Sequence, residues 1–574
     1  MGEVRTEAAP KYIQSVSRNA RRFISICNRV ANSGAYNFQL CRIPVASELN
    51  LEGFRWHFAN SVDQEVLEFL EFGFPINCTG EWEAHQETPN HKGATLFPGD
   101  LDEYIQEETS KNRMVGPFET SPFNKPIVIS PLNTREKRDS SERRIILDLT
   151  FPGEKSVNTA ISKEEYLGKP ISLRYPTVDD LTYWINRIGP GCCLFKRDLK
   201  KAYRQLPIDP GDVHKLAYKW NGFIYADRVL SMGLRSAAYI CQRVSDGVMN
   251  VYKEWGYRGV VYLDDFAGVA RADKAEEAFR KLGELLQELG LQESANKACP
   301  PSTGMSFLGI WFDTVRMTME VTRDRLIEIR AELGKWAQKK TAKKREIQSL
   351  IGLLSFAAKC VRPGRLLISR MLEVLKQCPE KGFVELDAEF LKDVRWWERV
   401  MPTFNGVSLI PSNNWSEVDQ ELACDACLTG AGGVCGGEFF HCCFPEFIMV
   451  ETKDINQREL VTIMAALKQW CRVLKGKRLK IFCDNMVTVQ VIMSGRAKNK
   501  FMQDCLREIT FTCAVWEFEI QTKHIAGEEN RLPDWLSRFH LDRKYREMFE
   551  TEREKRGLRE IKIPQHYFKV DNPW

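Results

Sequence analysis

The chain has no long apolar run. In 574 residues no hydrophobic stretch reaches the roughly 20 residues that cross a bilayer, so no membrane role is expected. The opening MGEVRTEAAPKYIQSVSRNARR lacks the apolar centre of a secretory signal. A dominant charge is missing too. The 82 Lys and Arg against 77 Asp and Glu leave +5, so any affinity for nucleic acid must come from local patches. Cys424 and Cys427 stand at zinc-site spacing near Cys435, His441, Cys442 and Cys443, but no second such pair follows. The segment reads as a glycine-broken β-meander, with structural zinc as the lesser alternative. His85 and His91 have no acidic or thiol partner at ligand spacing and are expected at the surface. Without a signal the 18 cysteines are expected as free thiols in a reducing, intracellular place, cytoplasm or nucleus.

What is present is acid in apolar settings. Asp264 and Asp265 lie between the strand-like runs Val260–Leu263 and Phe266–Val269. Two adjacent carboxylates repel, and apolar flanks make their charge costly without a counter-charge. A divalent cation with oxygen ligands meets that need, whereas the bland alternative is a hairpin with an acidic tip. Asp198 ends another apolar run, Cys192–Phe195 followed by Lys196 and Arg197. The spacing predicts a strand over 126–131, a basic tip with Arg135, Lys137, Arg138, Arg143 and Arg144, and a return strand over 144–148. Such a tip suits a phosphate-rich ligand, or is a solvated turn. Asn221–Gly222 between two alternating runs predicts a type I′ hairpin. Helices are expected over 234–255 and 272–289, the second closed by Gly290, and a short strand at Lys297.

Residues 321–400 read as mostly helical. The dense run Lys335, Lys339, Lys340, Lys343, Lys344 and Arg345 is either a solvated helix face or a surface for phosphate backbone. Pro, Asn and Ser around 402–414 mark a boundary. A second acid set follows in strand–helix–strand–helix order, at Asp425, Glu459, Asp484 and Asp534. Taken singly, Glu459 completes a capping box with Asn456 and Asp534 favours a helix start. Four acids in this order make coincidence improbable and read as one constellation. His524 sits where a strand runs into a loop, for catalysis or for packing.

Tyr262-Leu-Asp-Asp265, Asp198 within KRDLKKAYRQLPIDP, the stretch LSMGLRSAAYICQ, Lys297 and Phe307-Leu-Gly309 together resemble reverse transcriptases. Residues 415–540, ending in HIAGEENRLPDWLSR, resemble ribonuclease H. Phrases such as RRIILDLTFP and LLSFAAKCVRPGR are similar to the DIRS-type retrotransposons, over about residues 40–540. One departure is Ser231-Met232 before Gly233, where many retroelements have Pro-Phe or Pro-Gln.

The resemblance implies an α+β right-hand polymerase with fingers, palm and thumb, followed by an α/β ribonuclease H-like domain. Its divisions would be an extension (1–45), fingers (46–185), palm (186–317, with a fingers insertion near 210–232), helical thumb or connection (318–411), ribonuclease H (412–540) and a charged tail without readable chemistry (541–574). It implies RNA- and DNA-directed DNA synthesis, with degradation of the RNA strand of RNA–DNA hybrids. Asp198, Asp264 and Asp265 would hold two Mg²⁺ (or Mn²⁺) ions, and Asp425, Glu459, Asp484 and Asp534 two more. Lys137 and Arg144 would clamp triphosphate, Tyr203 would sit under the sugar, and Met232 and Gly233 would pack against the template–dNTP pair. Lys297 would protonate or steer the leaving group, and His524 would assist product release. The implied partners are RNA template, DNA primer, hybrid, dNTPs and a separately encoded tyrosine recombinase. A different class of function, a host-adopted nucleic-acid-binding protein without catalysis, would predict loss of core acids, and all seven are present.

Overall fold

The computed structural model describes residues 8–60, 63–83, 86–136, 142–379, 382–404, 406–410 and 418–572. The chain divides into two compact units, Met1–Met305 and Ser306–Trp574.

The first unit is built on a four-stranded antiparallel sheet in the order Gly259–Tyr262, Asp265–Ala270, Cys193–Asp198, Cys299–Ser302. The two central strands carry Leu194, Phe195, Phe266 and Ala267, all fully buried. Such continuous apolar runs need cover, and the helices Val178–Ile188, Ala237–Glu254 and Ala275–Glu288 pack against the sheet. A second sheet runs Gln86–Glu87, Val128–Ile129, Ala217–Trp220, Phe223–Asp227, Met114–Phe118. In it Asn221 and Gly222 have φ of 48° and 82° and join Trp220 to its partner Phe223, the I′ geometry expected of Asn-Gly.

Two expectations change. The basic hairpin pairs Leu132–Glu136 with Arg143–Leu147, Arg135 opposite Arg144, and does not use 126–131. Pro126 and Pro131 have no N–H to give, so only Val128–Ile129 pairs, and it pairs elsewhere. The extension before residue 45 contains the long helix Ala8–Ser33, whose Phe23, Ile24, Cys27 and Val30 share one buried face. Just beyond it, the Asn37 backbone N–H donates to Asp209 Oδ2 at 2.8 Å. Burial, together with the charge of Asp212, pushes the Asp209 carboxyl up to about 8.

The second unit begins with the strands Gly304–Phe307, Ile310–Asp313, Thr318–Val321 and Val407–Leu409 and the helices Arg323–Trp336, Lys344–Ala357, Arg365–Gln377 and Ala388–Thr403. Its six-stranded sheet follows in the order Glu519–His524, Arg478–Cys483, Gln420–Ala426, Gly430–Cys435, Glu438–Cys443, Arg559–Glu560. The first three strands are parallel and the next two pairings antiparallel. The fold class read from the sequence is the one found in its layers: an α+β unit built on an antiparallel sheet with its helices, then a mixed sheet with α/β connections.

The fully buried Arg507 joins two helices of this unit, donating to Asp393 Oδ1 at 2.9 Å, Glu389 Oε2 at 2.8 Å and Asp504 Oδ1 at 2.6 Å. The segment after 540 is folded onto the same sheet. Phe549 of the helix Arg543–Arg556 packs on Phe439 with ring centroids 4.7 Å apart, and Arg559–Glu560 adds the edge strand. A two-residue strand beside a highly charged helix has too few apolar positions to show a period in sequence.

Candidate active sites

The polymerase-like acids meet on two adjacent strands. Asp198 and Asp265 are register partners, and Tyr262 pairs with Asp265, so Leu263 and Asp264 form the intervening two-residue turn. The Asp264 carbonyl accepts the Leu199 N–H at 3.0 Å, which keeps the turn against the end of the Asp198 strand. Leu263 is left-handed, φ 56°, a conformation that costs a non-glycine residue about 1 kcal/mol or more. The neighbouring helix holds it there. Gln242 Oε1 accepts the Leu263 N–H at 2.7 Å, and Ser245 Oγ donates to the Leu263 carbonyl at 2.6 Å. Residues three apart on a helix share a face, which is how one helix grips both backbone groups. Sequence reading missed both positioning residues, because the signal exists only once the register of helix and turn is known.

Three acids so close share a cost. Burial, then the neighbouring Asp198, raises Asp264. Burial, with Asp198 and Asp264 adding to it against the pull of Lys196, takes Asp265 up to about 6. The buried Asp265 Oδ1 has no hydrogen-bond partner among the described residues, with Lys196 Nζ 3.6 Å away. Lys297 Nζ donates to Asp198 Oδ1 at 2.9 Å from a short 3₁₀ turn, Ala295–Lys297, that precedes the strand it was expected to occupy. An orphaned oxygen, repelling carboxylates and ammonium groups standing in for positive charge fit a site for hard divalent cations.

The residues expected around this centre are brought to it in part. Arg143 and Arg144 alternate along their strand. Arg143 lies over the Phe97 ring at 3.6 Å, while Arg144 is exposed on the other face and its charge reaches Asp264. Tyr203, half-buried, lies within electrostatic reach of Asp264 and Tyr262, and burial raises its phenol. Gly233 has φ 108°, and a Cβ there would stand 2.5 Å from the Leu147 carbonyl oxygen, so only glycine fits the close approach. Its own carbonyl accepts from Asn158 Nδ2 at 2.8 Å, and Met232 beside it is exposed. Lys137 lies outside the described residues, as does His85. His91, expected to lack an acidic partner, places Nε2 3.0 Å from Asp148 Oδ2, a pairing across 57 residues that spacing could not reveal.

The second constellation converges through its sheet. Asp425 lies on a central strand, Asp484 directly follows the adjacent one, and Glu459 reaches over from the helix Ile455–Leu474. The capping-box alternative for Glu459 is not what forms. Asp454 caps that helix, and Glu459 Oε1 instead accepts the Ala426 N–H at 3.2 Å. Asp534 is carried by Arg531–Ser537, a helix that approaches closely because Gly432 has no side chain; a Cβ there would lie 2.4 Å from Leu536 Cβ. Arg538 Nε donates to Asp534 Oδ1 at 2.8 Å, and Ser537 Oγ donates to Asp425 Oδ2 at 2.6 Å.

Burial, with Asp484 and Asp534 adding charge, takes Asp425 up to about 7 against the Ser537 hydrogen bond. Burial, then Asp425 and Asp484, raises Glu459 well above its ordinary value, and its Oε2 has no hydrogen-bond partner among the described residues. Glu459, Cys483 and Asp484 bring possible ligand atoms within 4.8 Å of one another. Burial holds the Cys483 thiol protonated, which leaves the carboxylates as donors for a hard cation. His524 donates from Nε2 to the Asp484 carbonyl at 3.0 Å and is otherwise exposed at the rim.

The cysteine-rich stretch nearby is spread over the sheet. Cys427 Sγ accepts the Gly430 N–H at 3.2 Å, and His441 stacks on Phe539 at 4.0 Å. None of the eighteen cysteines forms a disulfide.

The basic run is not one helix face. It spans the end of Arg323–Trp336, the two-residue strand Thr341–Ala342 and the start of Lys344–Ala357. Lys335 pairs with Glu332 at 2.9 Å and Lys339 with Glu346 at 2.6 Å, while Lys340 and Lys343 are exposed. If the run binds phosphate backbone, neutralising Lys339, Lys340, Lys343 and Lys344 weakens binding to duplexes of any sequence. It also flattens log K against log salt by about 0.9 for each lost contact. A salt titration of the quadruple variant checks this, and an unchanged slope assigns the run to a solvated surface.

Comparison with known proteins gives this geometry its class. Residues 136–312 match the family described as "Reverse transcriptase (RNA-dependent DNA polymerase)", a span that contains Asp198, Asp264, Asp265 and Lys297. The chain therefore carries a reverse transcriptase domain. It is 25% identical over 369 residues to Polyprotein P3 of Commelina yellow mottle virus, covering 62% of this chain and 18% of that protein. It is 20% identical over 436 residues to the retrovirus-related Pol polyprotein from transposon gypsy of Drosophila melanogaster, covering 74% of this chain and 39% of that one. The chain thus spans less than half the length of both relatives. Among solved structures, a foamy viral protease–reverse transcriptase in complex with double-stranded DNA matches at 15% identity and a TM-score of 0.45, over 84% of each chain.

Proposed function

We propose that the chain is an RNA-directed DNA polymerase, active also on DNA templates, with ribonuclease H activity, from a retrotransposon of the DIRS type. The observation that carries this reading is the register pair Asp198–Asp265 with Asp264 on the turn beside it and Lys297 on Asp198. Asp198, Asp264 and Asp265 would hold two Mg²⁺ or Mn²⁺ ions, and Asp425, Glu459, Asp484 and Asp534 two more. Bound there, the ions would neutralise phosphate charge and make the attacking oxygen more acidic.

The chain's own residues do the rest. Arg144, and Lys137 beyond the described part of the hairpin, would hold the triphosphate of a dNTP while the primer terminus lies at the Asp264 turn. Lys297, already hydrogen-bonded to Asp198, would hand a proton to the leaving pyrophosphate or steer it. The Tyr203 ring would close the space below the sugar, and Met232 with Gly233 would back the template–dNTP pair. In the second site the four acids would bracket a scissile phosphate of the RNA strand in an RNA–DNA hybrid, with His524 at the rim to assist product release. The basic run would bind the phosphate backbone of the duplex. The tyrosine recombinase of such an element would be a separate partner, and free thiols suit a place in the cytoplasm or nucleus.

Primer extension on a labelled RNA template, reading DNA growth and RNA cleavage in one assay, tests the reading. Absence of both activities from folded protein supplied with divalent cation would sink it. The finer test is Tyr203→Val, expected to raise incorporation of rNTP relative to dNTP by about tenfold or more, since one steric clash is worth at least ~1.4 kcal/mol. If that ratio of kcat/KM values stays put while the variant still polymerises, Tyr203 is not the gate.

A further inference from the structure

The segment carrying Tyr203 and the segment carrying Met232–Gly233 are 30 residues apart, yet one buried polar chain joins them. Tyr203 lies in the 3₁₀ turn Ala202–Gln205. The next residue, Arg204, is turned the other way and almost wholly buried. Its Nε donates to Glu108 Oε2 at 2.8 Å, and its Nη2 donates to Asp227 Oδ1 at 2.9 Å. Nη1 sits 2.7 Å from Asp227 Oδ2 as a close ion pair without hydrogen-bond geometry. Ser231 Oγ donates to the same Asp227 carboxylate, and Ser231 is followed directly by Met232 and Gly233.

Every member is buried. Glu108 is 0% exposed, Asp227 2%, Ser231 1% and Arg204 6%, so each bond is made away from competing water. Burial pushes Glu108 up, and the Arg204 charge and hydrogen bond outweigh it, so that the carboxyl lies below its usual value. The turn is held at its flanks as well. Lys201, left-handed at φ 50°, reaches Glu107 Oε2 at 2.6 Å, and the Gln205 side chain exchanges hydrogen bonds with the Gln292 backbone at 3.0 and 2.8 Å. On the far side of the loop, Asn158 fixes the Gly233 carbonyl and the Arg235 N–H, both at 2.8 Å.

A solvated surface would not bury two carboxylates around one guanidinium. A fold-stabilising pair would not need the third link to Ser231. We propose that Glu108, Arg204, Asp227 and Ser231 are positioning residues that hold the Tyr203 turn and the Met232–Gly233 loop as one rigid body, and so set how strictly the site selects the sugar of the incoming nucleotide. Arg204 and Ser231 are both buried, so each acts through its neighbour in the chain. The Ser231 hydroxyl closes the chain of bonds here. The inference rests on the polymerase reading and on Tyr203 as the gate.

The test is single-nucleotide incorporation by the full chain, normalised to active sites, with one matched dNTP–rNTP pair. Ser231→Ala removes only the last link and leaves the Arg204 ion pairs in place. It is expected to raise KM for dNTP by about fivefold with kcat within about twofold, and to lower the preference for dNTP over rNTP by about fivefold. Arg204→Lys keeps the buried charge, loses the forked grip, and is expected to move both quantities further in the same direction. If Arg204→Lys does not fold, Ser231→Ala alone decides. A purely structural role would lower the fraction of active protein and leave KM and preference at wild-type values; that result overturns the proposal. So does equal weakening of dNTP and rNTP. Tyr203→Val, run alongside, separates the two levels. If it leaves the preference unchanged, the gate reading fails; if it changes the preference and Ser231→Ala does not, only the linkage fails.

Discussion

Asp264→Asn is expected to reduce primer extension by at least about 10³-fold while hybrid cleavage stays within about twofold of wild type. The amide is nearly isosteric and brings no charge, so the site loses one of the three carboxylates proposed to hold cation without losing shape. The turn does not depend on that side chain, because Gln242 and Ser245 grip the backbone of Leu263. Stability should not fall either. Burial and the neighbouring Asp198 raise Asp264 above its ordinary value, so ionising it costs folding free energy, and a neutral side chain removes that cost. A thermal midpoint equal to or above that of wild type is therefore part of the expected result, and it separates lost chemistry from lost fold. Equal loss of extension and cleavage in a folded variant would count against two separate acid sets. Extension within tenfold of wild type would remove Asp264 from the catalytic group.

Asp264, Asp425 and Asp484 were legible in the sequence because each directly follows an apolar run, a pattern that is costly without a cation. The Asn-Gly hairpin was legible for a local reason, since two positive φ angles in succession suit few residue pairs. What stayed hidden depends on contacts far apart in the chain. The pairing of His91 with Asp148 spans 57 residues, and the burial of Arg204 by Glu108 spans 96. Nothing in local spacing marks Arg204 as buried rather than as one more surface charge among Lys200, Lys201 and Arg204. The true basic hairpin was misplaced by one strand because a period of two cannot tell which neighbour a strand pairs with, and the prolines that decide it were read as ends rather than as missing donors. The capping-box alternative at Glu459 fell for a similar reason. Asp454 sits two residues before Asn456 and takes the cap, which frees Glu459 to face Asp425.

Glu459→Gln should give the complementary result, with RNA-strand cleavage down by about 10³-fold and extension on the same template unchanged within about twofold. Gln keeps an acceptor for the Ala426 N–H that Glu459 Oε1 now takes, so the helix Ile455–Leu474 remains docked. It places an uncharged group where Oε2 now lies buried without a hydrogen-bond partner among the described residues. The variant also changes stability in a direction that can be measured without any substrate. In the folded chain both acids are raised, Glu459 by burial and then by Asp425 and Asp484, and Asp425 by burial and then by Asp484 and Asp534, so with divalent cation removed the native state binds more protons than the unfolded one. Stability is then greatest below the unfolded carboxylate range and falls as pH rises towards the value of about 7 at Asp425. Removing Glu459 takes away one of these protons. Chelator-treated Glu459→Gln should therefore match wild type in denaturant unfolding near pH 5 and exceed it near pH 8, with a shallower pH slope between. A parallel offset at all pH values would mean that Glu459 is not held above its ordinary value in the folded chain. Cleavage persisting at the wild-type rate would show that the hydrolytic centre lies elsewhere.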